Sequence, residues 1–235
     1  MFQLYDVIFY QPILNLLVFL YNVIPGHDLG IAIILLTFII KLILHPFSIK
    51  SLKSQKALQN LQPKVEALKT QYKDQKEKLA QEMMKLYKEE KVNPFSSCLP
   101  LLIQFPFLIA VYQVFMSGLT NGSLGQLYPF VSNPGSLNSI AFGFFDLAKA
   151  QWFLAILAGG AQFWQTKMLL AKKPEIKSKA SQDESMMVTM NKQMTYLMPI
   201  MTVFIGWNLP GGLVLYWFVI TLLTALQQLI AFRAK

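Results

Sequence analysis

One basic residue stands inside a long apolar stretch of this sequence, where a charge needs a physical reason. Lys41 lies in the run LLTFIIKLILHPF, about six residues from the end of the stretch, or about 9 Å along a helix. A lysine stem can reach toward an interface from that depth, so an anchoring role stays open. Otherwise such a charge needs a bundle interior or a water-filled cavity. Lys41 is therefore a candidate binding position for anionic groups.

Neutral polar residues recur in the other apolar stretches and could surround this charge. In the last stretch four residues share one helical face at spacings of four, three and four: Trp217, Thr221, Thr224 and Gln228. The remaining candidates are Thr37, one turn before Lys41, and the amides Gln104, Gln162 and Gln165. Any one of these groups could simply bond neighbouring helices together. Since no acidic residue lies in these stretches to neutralise Lys41, together they favour a hydrated, cationic groove.

The sequence contains no arrangement of reactive side chains typical of an enzyme. It has no GxSxG elbow, no HExxH pair, no Walker-type glycine loop and no paired carboxylates in apolar stretches. One cysteine, Cys98, and two histidines, His27 and His45, are too few for a typical metal cluster. We therefore predict a protein that is not an enzyme and that carries neither a metal nor another cofactor.

The composition favours an all-α integral membrane protein. Of 235 residues, 54% are hydrophobic and only 14% are charged, which is too apolar for an ordinary soluble domain of this length. Five stretches are long enough to cross about 30 Å of hydrocarbon as helices. We predict transmembrane helices at 29–48, 95–118, 149–170, 193–209 and 210–232.

The basic residues predict how these helices are oriented. Of the 21 lysines and arginines, 19 lie in the polar segment 49–94, between 167 and 192, or in the tail 233–235. Residues 1–28 and 119–148 contain no lysine or arginine. Since short basic loops are retained in the cytoplasm, we predict an N-terminus outside a bacterial cytoplasmic membrane and a C-terminus inside it. The segment 119–148 is then an external loop, and 171–192 is a cytoplasmic loop.

The polar segment 49–94 is predicted to form a cytoplasmic hairpin of two helices that turns near Asp74. Its apolar residues recur at helical spacing: Leu61, Val65, Leu68 and Tyr72, then Leu79, Met83, Leu86 and Tyr87. Its candidate docking residues are Lys64, Lys69, Lys73, Lys76, Lys78, Lys85 and Lys88. They form either a solvated face or a basic platform for anionic lipid, a ribosome or a targeting partner.

Residues 1–28 contain one further apolar stretch, 5–24, which could lie on the membrane or cross it. Gln11, Asn15 and Asn22 fall near one helical face and leucines and isoleucines line the other, which favours an amphipathic helix on the outer membrane surface. A sixth span is the alternative. The stretch has no basic start and no small-residue cleavage site, so we do not expect a removable signal.

Three parts of the sequence resemble the bacterial YidC insertases of the YidC/Oxa/Alb superfamily. They are TFIIKLILHPFSIKSLKSQKALQNLQPKVEALKTQY, QEMMKLYKEEKVNPFSSCLPLLIQFPFLIAVYQVF and NLPGGLVLYWFVITLLTALQQ. The segments LQPK, YKEEKVNP and CLPLLIQFP are specific rather than generic apolar matches. The resemblance implies five helices around a groove open to cytoplasm and lipid, a cytoplasmic hairpin and an external amphipathic helix. The sequence resembles the shorter form of the family, which has no large external domain.

The same resemblance implies roles for individual residues. Lys41 matches the basic residue of the family's groove, which is usually arginine; lysine keeps the charge but loses the guanidinium fork. Thr37, Tyr216 and Trp217 match positions where the family contacts emerging substrate helices. Tyr216 thus joins the predicted groove.

The resemblance also implies a function and partners. The expected function is to assist insertion and folding of integral membrane proteins through a hydrated, positively charged groove, without nucleotide hydrolysis. Expected partners are nascent membrane-protein clients, the ribosome, the Sec translocon and membrane lipids, with no recognition of nucleic acid sequence. Two rival functions stay open at this point: a channel or transporter for small anions, and a protein that assembles other membrane subunits. The clients and the oligomeric state are not specified.

Overall fold

The computed structural model describes residues 2–73, 75–93, 99–117, 123–169 and 193–233, and these are mainly helical. The helices are α1 (Phe2–Tyr5), α2 (Gln11–Val23), α3 (Leu29–Ile43), α4 (His45–Gln71), α5 (Lys76–Glu89), α6 (Leu99–Ser117), α7 (Trp152–Leu169), α8 (Met198–Gly206) and α9 (Gly211–Arg233). Two π-helical turns, Asp6–Tyr10 and Gln193–Leu197, precede α2 and α8. The predicted turn residue Asp74 and the predicted loop 171–192 lie outside the described residues.

The core lies where α3 and α7 each pack against α9, with α2 against α3 and α8 against α7. Leu36 on α3, Ala158 on α7 and Val214 on α9 are almost completely buried there. Other apolar side chains point away from the protein: Phe105 on α6 is 52% exposed and Ile200 on α8 is 64% exposed. Exposed apolar helix faces of this kind suit contact with lipid, which agrees with the predicted membrane class.

Two described helical stretches are long and apolar enough to cross a membrane by themselves, Asp6–Val23 and Gly211–Phe232. The pair α3 and α4 makes a third candidate if its 66° bend belongs to one span, and Leu102–Met116 and Thr195–Gly206 are shorter apolar helices. Five spans therefore stay a prediction. The stretch that includes α2 passes the same test, so the choice between a surface helix and a sixth span also stays open.

Helices α3 and α4 meet at a 66° bend that was not predicted, a few residues before the predicted boundary between the first span and the hairpin. Helix α3 ends at Ile43, whereas the predicted span continued to residue 48, and α4 begins at His45 rather than at 49. Pro46 explains the break, because a proline near the start of a helix loses no hydrogen bond there but interrupts a helix that continues through it. The Lys56 ammonium donates to the Ala231 carbonyl at 3.4 Å, which holds α4 beside the last turns of α9.

Helices α4 and α5 pack together as the predicted hairpin requires. Leu61 and Val65 are buried, and Lys64 forms an ion pair with Glu90 beyond the end of α5. None of the residues of α5 is buried. Of the predicted docking lysines, Lys69 is half-buried, and six are exposed: Lys64, Lys73, Lys76, Lys78, Lys85 and Lys88.

Residues 123–151, which we call the cap segment, cover one end of the bundle. The Asn15 amide donates to the Gln126 carbonyl at 3.3 Å and its oxygen accepts from the Tyr128 N–H at 2.6 Å. The Tyr21 hydroxyl accepts from the Asn138 N–H at 3.0 Å. The polar face of α2 is thus bound to the cap segment, and Asn15 is only 3% exposed. Polar side chains of this face of α2 therefore have hydrogen-bond partners in the cap segment and do not depend on water for them.

The cap segment also contains the one β-sheet among the described residues. Strands β1 (Ile140–Ala141) and β2 (Phe145–Asp146) pair antiparallel, with Ala141 opposite Phe145. The prediction of an all-α protein missed this short hairpin, because its turn depends on positive φ angles at Phe142 and Gly143 rather than on a long alternating pattern. Near β2, hydrogen bonds from the Ser139 hydroxyl, Lys149 and the Ala148 N–H lower the pKa of Asp146.

Asp28 joins the β hairpin to the start of α3. One carboxylate oxygen caps the helix by accepting from the Ile31 N–H at 3.0 Å, and the other accepts from the Phe142 N–H. Gly30 lets the strand approach, since a Cβ there would lie 2.7 Å from the Ala141 Cβ. The cap segment is therefore held to both α2 and α3.

Replacing Asp28 by alanine is expected to lower the free energy of unfolding by about 2 kcal/mol, since a helix cap and a second charge-assisted bond are lost together. Asp28→Asn, which retains one acceptor oxygen, should lose about half as much. Thermal unfolding of the detergent-solubilised protein measures both. Equal stability of wild type and Asp28→Ala would contradict the proposed double contact.

Helices α7 and α8 pack closely through a glycine. A Cβ at Gly159 would lie 2.4 Å from the Val203 Cγ2 and 3.0 Å from the Pro199 carbonyl oxygen, whereas a Cβ at the neighbouring Gly160 would meet nothing within 4 Å. Small residues are a common way for helices in a membrane to approach closely. Gly159 therefore sets the separation of α7 and α8.

Candidate functional site

A cavity of about 330 Å³ lies among α3, α4, α6, α7 and α9. Its described lining residues are Lys41, Leu44, Phe47, Ser48, Leu52, Gln55, Ile103, Gln104, Leu108, Gln162, Gln165, Tyr216, Trp217, Ile220, Thr221, Thr224, Gln227 and Gln228. Apolar side chains come mainly from α4, α6 and α9, and polar ones from all five helices. The cavity is thus amphipathic, with room for a polar chain beside an apolar wall.

Nine of the ten residues predicted for the groove line this cavity. They come together because α9 presents residues three or four positions apart along one face, and the other helices each contribute one or two amides or the lysine. The structure therefore brings residues from four separate predicted spans to one place. Their role in contacting a substrate stays a prediction.

Thr37 is the predicted residue that the structure does not bring to the cavity. Its side chain is completely buried, and its hydroxyl donates to the Ile33 carbonyl at 2.6 Å, one turn earlier in α3. A hydroxyl that bonds within its own helix can be packed into an apolar core at little cost. Thr37 therefore lies in the core of the bundle, although it is only one turn from Lys41.

Lys41 projects into the cavity toward α9. Its ammonium donates to the Thr224 hydroxyl oxygen at 2.8 Å, and that hydroxyl donates in turn to the Ile220 carbonyl at 2.6 Å. Among the described residues that line the cavity, Lys41 is the one charged side chain and none is acidic. The Lys41 side chain is thus oriented by a neutral hydroxyl and not by an acidic partner among the described lining residues.

Two further hydrogen bonds fix the walls of the cavity. The Gln104 amide on α6 donates to the hydroxyl of Tyr216 on α9, and the Thr202 hydroxyl on α8 donates to the amide oxygen of Gln162 on α7. Both pairs join helices that are distant in sequence. Gln104 and Gln162 therefore have a structural role as well as a position at the cavity surface.

Other amide groups at the cavity are buried without a partner in the described protein. Both polar atoms of Gln227 and the side-chain oxygen of Gln228 are inaccessible and accept or donate no hydrogen bond among the described residues. Gln228 is only 1% exposed. Buried polar groups are nearly always bonded to protein, water or ligand. The C-terminal part of α9 therefore carries amide donors and acceptors that form no hydrogen bond with the described residues.

Helix α4 contributes a wall of the cavity that was not predicted from the sequence. Phe47, Ser48, Leu52 and Gln55 line it, but the prediction assigned the last three to a span end or to the hairpin. Their spacing of one, four and three residues continues the Lys41 face across the bend, so the positions were readable once the helix break at Pro46 is recognised. The first turns of α4 are therefore a wall of the cavity.

The cavity closes toward the cap segment. Tyr216 is completely buried and is the lining residue of α9 nearest that end. One turn before it, Gly212 packs so closely on Phe115 that a Cβ would lie 2.1 Å from that ring. The Gly212 and Gly211 N–H groups donate to the Leu147 and Lys149 carbonyls at 3.0 and 2.9 Å. The start of α9 is therefore sealed by α6 and by the cap segment.

The chain was compared with known proteins. Residues 19–235 match the family model described as 60Kd inner membrane protein. The membrane protein insertase YidC of Clostridium tetani is 37% identical over 193 residues, covering 82% of this chain and 76% of the relative. YidC of Fusobacterium nucleatum is 33% identical over 221 residues, covering 93% of this chain and 94% of the relative.

A solved structure is also similar. The crystal structure of an active YidC insertase with its first transmembrane domain resolved matches 98% of this chain with a TM-score of 0.61 and 26% sequence identity. The chain spans 47% of that longer protein.

The family match extends over more than nine tenths of the sequence, and it includes every helix that lines the cavity. It agrees with the resemblance found in the sequence and with the apolar helices of the fold. The YidC insertases are insertion factors rather than enzymes, which confirms the prediction that the chain is not an enzyme. The chain belongs to the 60Kd inner membrane protein family and is an integral membrane protein of the YidC type.

Proposed function

We propose that this protein is a membrane insertase that moves client proteins into the bilayer through a hydrated, positively charged groove, without nucleotide hydrolysis. The groove is the cavity that Lys41 lines. The observation that supports it best is the Lys41 ammonium, which donates to the neutral Thr224 hydroxyl and has no acidic neighbour among the described lining residues. The buried, unpartnered amides of Gln227 and Gln228 support hydration of the same space.

The proposed mechanism lowers an electrostatic barrier. Moving one bare charge through hydrocarbon costs from about 3 to more than 10 kcal/mol, so a wet cavity that reaches partway across the membrane thins the barrier. Lys41 attracts an acidic group of the client tail into the cavity. The membrane potential then favours outward movement of that anionic tail by about 2.3 kcal/mol per charge per 100 mV. The apolar part of the client leaves along α9 into lipid.

The proposed orientation places the cap segment outside and the hairpin in the cytoplasm, with five spans between them. The distribution of lysine and arginine supports it. The cavity then opens toward the cytoplasm, because the first turns of α4 line it and the opposite end is sealed by Tyr216, Gly212 and Phe115. The N-terminus lies outside and the C-terminus inside.

The proposed partners are nascent clients, with the ribosome and a Sec translocon on the cytoplasmic side. Support for a docking surface comes from the hairpin, where Lys73, Lys78, Lys85 and Lys88 are exposed. Clustered basic side chains attract ribosomal RNA phosphates and anionic lipids without reading a sequence.

Site-specific photocrosslinking to ribosome-bound nascent chains tests the proposed groove. A photoreactive residue at Trp217, which lines the cavity, should label a single-span client while its apolar segment emerges. The same residue at Ile200, which is 64% exposed on α8 and does not line the cavity, is the matched control and should label lipid. Labelling of the client from Ile200 but not from Trp217 would contradict this route. An anion channel would instead give halide flux in liposomes that contain no client.

A further inference from the structure

The glutamines are the most frequent residue type in the cavity. Six described lining residues are glutamines, from α4, α6, α7 and α9. Gln104 and Gln162 are used to join helices, as described above. Gln227 and Gln228 are not: three of their four side-chain polar atoms are buried without a partner among the described residues. Both residues line the cavity, so a rotation of their side chains would present these atoms to a ligand that enters it.

The chemistry of a primary amide specifies what that ligand is. A glutamine side chain offers an N–H donor and a carbonyl acceptor, and so does every non-proline unit of a peptide main chain. A small anion would use only the donor, and a cation only the acceptor. Gln227 leaves both its donor and its acceptor unpartnered at once. The complementary ligand therefore carries both kinds of group: water in the empty cavity, and an extended main chain when a client displaces that water.

An extended client segment needs such partners. A helix satisfies its own N–H and C=O groups inside a membrane, but an extended tail cannot, and each unsatisfied main-chain group is costly to bury in hydrocarbon. Residues 216 to 228 of α9, which bound the lining face, extend about 18 Å along the helix. That length accommodates about five extended residues. Lys41 on α3 lies beside this stretch of α9, since its ammonium bonds to Thr224.

We propose that Gln227 and Gln228 form a main-chain binding subsite, which holds the peptide groups of an extended client tail irrespective of its side chains. This inference rests on the proposed insertase function and adds a second means of recognition to it. Lys41 selects charge, whereas the two amides bind the polymer itself. A groove with both accepts tails of different sequence and still favours acidic ones.

A pair of synthetic peptides separates main-chain binding from charge attraction. Both carry one apolar span and a five-residue tail without charged side chains; in the second, the tail N–H groups are replaced by N-methyl groups. In empty liposomes the N-methyl peptide should insert faster, because it has fewer donors to desolvate. In liposomes that contain the purified protein the order should reverse, with the unmethylated peptide about tenfold faster.

The variant Gln227→Leu/Gln228→Leu should abolish this reversal, while Gln227→Asn/Gln228→Asn should retain part of it. Gln81→Leu, at an exposed glutamine on α5, is the matched control and should behave as wild type. If wild type accelerates both peptides equally, the main-chain subsite is wrong and the insertase function stands. If wild type accelerates neither, both proposals fail. Since the peptide comparison is made on wild type, a misfolded variant cannot obscure the result.

Discussion

Lys41→Glu should slow insertion of an acidic-tailed, single-span client into proteoliposomes by about a hundredfold. An ammonium and a carboxylate about 8 Å apart attract each other by about 2 kcal/mol at an effective dielectric constant of about 20, and the substitution turns that attraction into a repulsion of similar size. Even part of the resulting difference of about 4 kcal/mol amounts to two orders of magnitude, since about 1.4 kcal/mol corresponds to tenfold. Protease protection of the client tail measures the rate.

Matched variants separate charge from packing at this position. Lys41→Arg keeps the charge and should insert the same client within about threefold of wild type. Lys41→Met keeps the approximate length without the charge and should fall between wild type and Lys41→Glu. Lys91→Glu, at an exposed residue beyond α5 that is not one of the proposed docking lysines, is the control for a general change of charge. A Lys41→Glu protein that inserts the client at the wild-type rate would rule out the electrostatic role.

The second large effect concerns the close packing of α7 on α8. Gly159→Ala should lower the free energy of unfolding by about 2 kcal/mol, because the new methyl group overlaps Val203 and the Pro199 carbonyl, and overpacking of this kind typically costs about 1 to 3 kcal/mol. The helices must separate to admit it. Thermal unfolding in detergent, followed by tryptophan fluorescence or by loss of the monodisperse protein, measures the change.

Gly160 is a matched control for Gly159, one residue along the same helix. A methyl group at Gly160 meets no atom within 4 Å, so Gly160→Ala should leave stability unchanged or raise it slightly through helix propensity. Equal losses from the two substitutions would mean that backbone flexibility, and not the α7–α8 contact, is what both glycines supply. Because the two residues have the same type and the same helix, the comparison isolates the packing term.

Residue spacing predicted four of the seven described residues that α9 contributes to the cavity lining, because α9 is a regular helix. Trp217, Thr221, Thr224 and Gln228 had to share a face once the helix was recognised, and the face turned inward because the other side of α9 is wholly apolar. Thr37 shows the limit of the same argument. Its spacing to Lys41 is correct, but whether a hydroxyl points to a cavity or bonds to its own helix depends on side-chain rotation and packing, which spacing does not encode.

Contacts between distant segments were the part that local pattern could not predict. The polar face of α2 was interpreted as one side of an amphipathic helix on the outer membrane surface. Its contact with the cap segment, in which Asn15 binds Gln126 and Tyr128 more than a hundred residues away, was not predicted. The bond between Asp28 and the Phe142 N–H could not be predicted either, because it depends on a β hairpin too short to give a periodic signal. The wall formed by α4 was not predicted because the lysines that recur from residue 50 onward were interpreted as part of the hairpin, although Pro46 marks the start of α4.

The tight contact between Gly212 and Phe115, together with the buried ring of Tyr216, has a bioenergetic consequence. In the proposed insertase, water that enters beside Lys41 would meet packed rings and backbone before it reached the cap segment, and the described residues leave no open path between the two sides. A bilayer with many copies of such an insertase would keep its proton gradient, and the stored voltage would remain available to drive client tails outward.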